Sequence, residues 1–355
     1  MNKKKNGRRI ALLGKQHGVV VLIILLMLGI GLASALVTSL SKAKPRLEND
    51  AQTAAALAQA RDALIGYAVS HSARPGLLPF PDRSADGNYD GISDCSPSTI
   101  TNALLLGKLP RRGENVPCMG PLGSLNFAEV DGSGEDPWYG VSRNLLRAPS
   151  SSFNIPLVLN GASNWLTVRD VSGAVLSNRV AFVLFAPGAP LGTQNRAGAA
   201  VARNYLDDYR VGVTNYRNWD NDRDFIVAAD TVTTPAANNQ FNDKLIYVTR
   251  DEYRVAIGGR VAGELKSRLK AFYDANGDYP FAAPSTAGEC VASATIGYVA
   301  IKDDAPNDCL ASGGAAVSLS SLPWFAEWQS YVLYERTGSA AATLSIFGKD
   351  YALTP

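Results

Sequence analysis

Residues 14–45 read GKQHGVVVLIILLMLGIGLASALVTSLSKAKP, and the rest of the chain is placed by how this stretch is read. From 19 to 40 there are twenty-two residues and no charge. A helix rising about 1.5 Å per residue crosses the roughly 30 Å hydrocarbon core of a bilayer in that length. Lys3, Lys4, Lys5, Arg8, Arg9 and Lys15 precede the run, with no acid among them. Such cations stay on the cytoplasmic side. The stretch therefore predicts a single-pass inner-membrane segment, with the start of the chain cytoplasmic and the bulk periplasmic. Two other readings stay open: a secretory signal cut after Ala35, within Ala33-Ser34-Ala35, and an uncut signal anchor. The run exceeds the about 7–15 residues of a signal core.

Beyond Pro45, Leu57, Ala60, Leu64 and Tyr67 recur at helical spacing and give an amphipathic helix that stops at Arg74-Pro75-Gly76. It continues the membrane helix, with Pro45 as a kink, or stands apart behind a short Ser-Lys-Pro linker. Strands are expected at 136–146, 155–160, 165–171, 180–188, 225–230 and 244–250. The run VAFVLFAPG at 180–188 has the pattern of a strand buried on both faces. A second amphipathic helix follows, with Val261, Leu265, Leu269 and Phe272 on one face and a stop at Asn276-Gly277. Each helix is then followed by a Pro/Phe turn, a cysteine, a loop, a second cysteine and a Trp-headed strand, at Trp138 and at Trp328. One larger sheet domain is the competing reading of this repetition. The expected fold is α+β: a long N-terminal helix, membrane half plus amphipathic half, packed on an antiparallel sheet, with a second helix-plus-sheet unit. The boundaries drawn are 1–18, 19–72, 73–250 and 251–355.

The chain has 355 residues, 34 basic and 32 acidic. Setting aside the six cations before residue 19 leaves 28 basic residues against 32 acidic, a balance of −4. That balance, with no basic cluster interleaved with aromatics, argues against nucleic-acid binding. Four cysteines, Cys95, Cys118, Cys290 and Cys309, form no C-x-x-C pair, and there are two histidines, which speaks against zinc. An even count beyond an export signal reads as disulfides. Cys95–Cys118 and Cys290–Cys309 are favoured because each closes a short loop, worth about 3 kcal/mol in the chain-entropy model, although four cysteines allow three connectivities.

The basic leader ending at Gly18, followed at once by an apolar helix from Val19, resembles the start of type IV pilins and pseudopilins. ALIGYA at 63–68, LPFPD at 78–82 and the Asp/Gly-rich loop after it add to the likeness. The resemblance implies cleavage by prepilin peptidase between Gly18 and Val19 and methylation of Val19. It also implies partnership with other pilin or pseudopilin subunits in a type IV pilus or a type II secretion filament, inside the periplasm or at the cell surface. Most members carry Glu at the fifth mature position; here it is Ile23. Some minor pilins and the large tip pseudopilin also lack that Glu.

The best chemical candidate is DGNYDGISD at 86–94. Asp86, Asn88, Asp90, the Ile92 carbonyl and Asp94 match the first nine positions of a calcium loop, with Gly91 permitting the turn. The terminal Glu is missing, since Pro97 stands there, and Asp, Asn and Gly crowd ordinary turns as well. Calcium and a plain turn are both retained. Asp220, Asp222 and Asp224 alternate before Phe225, and Asp274, Asn276 and Asp278 close the second helix; both are weaker metal candidates. No catalytic residue is expected: there is no G-x-S-x-G, H-E-x-x-H or P-loop, and His71 is the only histidine past Gly18. His71 is expected to cap or lie on the surface, and Trp219, Trp324 and Trp328 to be core residues or a ligand surface.

Overall fold

The computed structural model describes residues 17–83, 89–95, 99–114, 125, 129–147, 159–192, 194–197, 201–228, 240–286, 289–300, 309–310, 317, 319 and 321–355; within 17–44 only the side chain of Met27 is included. The chain divides into two compact units, 1–51 and 52–355. The first holds the opening turns of helix α1, His17–Ser70. Among the described residues no helix is long and apolar enough to cross a membrane; the expected span at 19–40 falls, Met27 apart, on side chains outside the description.

Unit 52–355 begins with the last turns of α1, where Ala56, Leu57, Ala60, Leu64, Tyr67 and Ala68 are buried. The main sheet follows. Its strands are β2 (Leu106–Lys108), β4 (Trp138–Val141), β5 (Leu166–Arg169), β6 (Val175–Ala186), β9 (Asp224–Ile226) and β10 (Lys244–Thr249), while the short β1 (Ile92–Ser93) and β3 (Gly113–Glu114) pair separately. β6 is central: Trp138 stands opposite Phe185 on one side and Lys244 opposite Ala186 on the other. Side chains alternate across a strand, so Ala181, Phe182, Leu184 and Ala186 enter one core and Val180, Val183 and Phe185 another. That is why the run at 180–186 is apolar without interruption.

Helix α2, Arg250–Asn276, starts with a full capping box: Thr249 Oγ1 accepts the Glu252 N–H, and the Glu252 carboxylate accepts the Thr249 N–H. It ends at Gly277 in the left-handed region. Its buried Tyr253, Ile257, Val261, Leu265, Leu269 and Phe272 pack along β6 and β10, and also along a second sheet. That sheet is the antiparallel series β11 (Ile296–Tyr298), β12 (Val332–Gly338), β13 (Ala341–Ile346) and β14 (Lys349–Leu353). One large core joins the end of α1, one face of the main sheet, α2 and the second sheet. The smaller core lies on the other face of the main sheet, under the excursion between β6 and β10 that carries the hairpin β7 (Asp208–Val211) and β8 (Thr214–Arg217).

The expected long N-terminal helix packed on an antiparallel sheet, membrane half plus amphipathic half, is overturned. Only 52–70 of α1 belongs to the sheet-bearing unit, and no described helix has membrane-crossing character. Most of the described elements of that unit are strands, and the helix lying along both sheets is α2. The physical reason lies in side-chain volume: half the buried face of α1 is alanine, whereas that of α2 carries Tyr, Ile, Leu and Phe. Large apolar side chains bury more surface against a sheet. Nor is the main sheet purely antiparallel, since β5 and β9 run parallel. The strand expected at Trp328 is also corrected: Trp328 closes the short helix α3, Phe325–Trp328, and the strand begins only at Val332.

Candidate functional site

Of the calcium-loop residues, Asp86 and Asn88 lie outside the described residues. Asp90 accepts the Ile92 N–H at 2.8 Å, an Asx turn. Ile92 opens β1, beside Gly113. Asp94, buried, accepts the Arg83 N–H. Among the described residues no group of three or more His, Cys, Asp or Glu side chains could hold a metal ion. Gly18 and Val19 are helical backbone in α1 with side chains outside the description. Cys290 and Cys309 are joined in a disulfide. Cys95 is disulfide-bonded as well, and Cys118 lies outside the described residues.

The other sequence candidates have structural partners. Asp220 accepts the Asp222 N–H, Asp222 accepts the Asp224 N–H, and Arg169 pairs with Asp224 at 2.8 Å, so the trio leads the chain into β9. Desolvation, and then the two neighbouring carboxylates, push Asp222 up to about 6. Asp274 pairs with Lys270, Asn276 donates to the Phe272 carbonyl, and Asp278 pairs with Arg336. His71 is buried, and its Nδ1 accepts the Arg74 N–H; burial and the nearby Arg74 charge hold its pKa below the usual imidazole value. Trp324 and Trp328 are core residues, whereas Trp219 is half-buried.

Trp219 borders a cleft of about 670 Å³ that the residue patterns did not single out. Three arginines line it: Arg203 from a 3-10 turn at Ala202–Asn204, Arg210 from β7 and Arg217 from β8. All three are exposed. The Arg203 and Arg217 guanidiniums stand 5.9 and 5.3 Å from the Trp219 ring, a cation–π arrangement that holds a planar cation in place. The signal in the sequence was there: ARNYLDDYRVGVTNYRNW puts an arginine at every seventh position, with Val-Gly-Val as the hairpin turn.

Beneath the cleft sits a buried carboxyl pair. Asp207 accepts from Gln194 Nε2 at 2.8 Å and from the N–H groups of Asn242 at 2.7 Å and Asp243 at 3.2 Å. Asp243 in turn accepts the Asp207 N–H at 2.8 Å and Asn218 Nδ2 at 3.0 Å. Asn218 completes the knot by exchanging two hydrogen bonds with the Ile226 backbone. Burial pushes Asp207 up to about 6; burial, and then the Asp207 charge, push Asp243 well above the ordinary carboxylate range. Asp243 is 1 % exposed, so it meets no solute directly. The pair clamps the two ends of the 207–243 excursion, and the charges facing solvent in the cleft are the three arginines and Asp208. Comparison with protein-family models, curated proteins and solved structures finds no match to this chain.

Proposed function

We propose that the chain is a pilin-like structural subunit, a minor pilin or pseudopilin of a type IV pilus or type II secretion filament. Residues 1–18 act as a leader that prepilin peptidase removes after Gly18, and Val19 becomes the methylated first residue. The observation that carries this reading is the six cations before Gly18 set against no charge over 19–40. The Cys290–Cys309 disulfide supports it from the other end of the chain, because such bonds persist in oxidising compartments such as the periplasm. In this reading the apolar run first holds the protein in the inner membrane, then leaves the bilayer to pack among like segments, while unit 52–355 faces outward.

Ile23 fits a particular place in such a filament. In the resembling family the Glu at this position pairs with a neighbouring subunit's terminal amine. A subunit at the tip has no such neighbour, and an unpaired buried carboxylate is costly. Isoleucine avoids that cost. A second reading, a membrane-anchored periplasmic binding or adhesion module outside any filament, is favoured by the arginine-lined cleft. Sequencing the first residue of the mature protein separates the two. N-methylated Val19 is expected; Leu36 or an intact Met1 would rule out peptidase processing and leave the second reading.

A further inference from the structure

Arg203, Arg210 and Arg217 converge on one cleft in a unit whose acidic residues outnumber its basic ones. Two acids share the wall, Asp207 and Asp208, and among the described residues neither forms an ion pair with these arginines. Asp207 is engaged by Gln194 and two backbone N–H groups, and Asp208 accepts from Asn215 Nδ2. Arg217 reaches Asp220 only at 3.9 Å, and among the described residues Arg203 makes no ion pair. Arg210 is steered by donating its Nε–H to the Gly212 carbonyl at 3.0 Å. Guanidinium groups held on an indole ring present planar forks of donors that match the oxygens of carboxylate or phosphate. The ring of Trp219 already serves as their platform, which disfavours a stacking ligand and favours an anionic one. The volume is that of a small-molecule site.

We propose that this cleft binds a small ligand carrying at least two oxyanion groups, carboxylate or phosphate, gripped by Arg203, Arg210 and Arg217. The proposal stands independently of filament assembly. Its test is titration calorimetry on the full chain in detergent micelles at 150 mM NaCl, with citrate in one arm and inorganic pyrophosphate in the other. One-to-one binding of at least one is expected. Citrate alone assigns a carboxylate ligand, pyrophosphate alone a phosphate ligand, and both an oxyanion site indifferent to the central atom. The double variant Arg203→Gln/Arg217→Gln should weaken binding at least tenfold, and Trp219→Leu severalfold through loss of the platform. Arg179→Gln, an exposed arginine on β6, should leave it unchanged. Arg203→Gln alone disturbs no ion pair among the described residues and serves if the double variant fails to fold. No heat with either anion at millimolar concentration, or equal weakening by Arg179→Gln, would overturn the proposal.

Discussion

Asp131 and Asp170 have the same local job in different surroundings. Asp131 Oδ1 accepts from Ser133 N–H, Ser133 Oγ and Glu135 N–H at 2.8, 2.6 and 2.9 Å. Asp170 Oδ1 accepts from Ser172 N–H, Ser172 Oγ and Ala174 N–H at 2.8, 2.6 and 3.1 Å. Asp170 is only half-buried and its three hydrogen bonds are exposed to solvent, whereas Asp131 is fully buried and its other oxygen takes the Gly188 N–H at 2.9 Å. Removing this buried acceptor unpairs four donors at once, each at a cost of up to about 1–3 kcal/mol. Asp131→Ala should therefore lower unfolding stability by about 3–5 kcal/mol. Water can replace the lost acceptor at Asp170, so Asp170→Ala should cause a much smaller loss. Urea denaturation of both variants checks this, and similar losses would show that burial is not what separates them.

At the scale of elements, each major helix is followed by a segment that lies over a glycine in the first strand of the next meander. After α1, Asp82 exchanges two backbone hydrogen bonds with Lys108, at 3.0 and 2.7 Å, and the Asp82 carbonyl oxygen would sit 2.2 Å from a Cβ at Gly107. After α2, Ala283 and Tyr298 exchange two at 2.8 Å, and the Ala283 carbonyl would sit 2.2 Å from a Cβ at Gly297. A tyrosine hydroxyl pins each turn: Tyr139 to the Pro79 carbonyl at 3.2 Å, Tyr334 to the Pro280 carbonyl at 2.9 Å. Gly107→Ala and Gly297→Ala should each destabilise by about 2–4 kcal/mol, because the obstacle is backbone. Gly263→Ala, with open space at its Cβ inside α2, should stabilise by about 0.5–1 kcal/mol. Thermal melts give the signs, and a neutral Gly107→Ala would mean that the overlying segment moves freely. These close approaches were not legible in the sequence, since a glycine flanked by Leu106 and Lys108 does not announce a carbonyl arriving from residue 82. The buried faces of both helices and the run at 180–186 were legible, because a period of 3.6 or an unbroken apolar run survives in one dimension. The cleft was missed because its arginines meet only once β7 folds back on β8.

For the whole molecule, the residues from 52 on form one compact unit, so a change in protonation at a buried site alters the stability of all of it. Asp207 and Asp243 are the groups to watch. Both have folded pKa values above their unfolded ones, Asp207 at about 6 against an ordinary 3.8. Between those values the folded chain holds more protons than the unfolded chain, so stability from this pair is fully present below about pH 4 and declines as pH rises. The decline passes through about pH 6 for Asp207 and extends higher for Asp243. Its size is on the order of 2–3 kcal/mol for Asp207, since each pKa unit corresponds to about 1.4 kcal/mol. Carboxylates of the usual kind, held below their unfolded pKa by partners, push the opposite way, so the raw profile mixes the two. Asp243→Asn isolates the pair. It removes the carboxyl whose pKa burial and the Asp207 charge raise, and keeps an oxygen to accept the Asp207 N–H and Asn218 Nδ2. Urea midpoints measured from pH 4.5 to 7.5 should fall less steeply with pH in Asp243→Asn than in the native chain, and the variant should gain most at the upper end. Parallel profiles would mean that Asp243 takes no part in the proton linkage, and that the clamp under the cleft is held by its hydrogen bonds whatever the protonation of the pair.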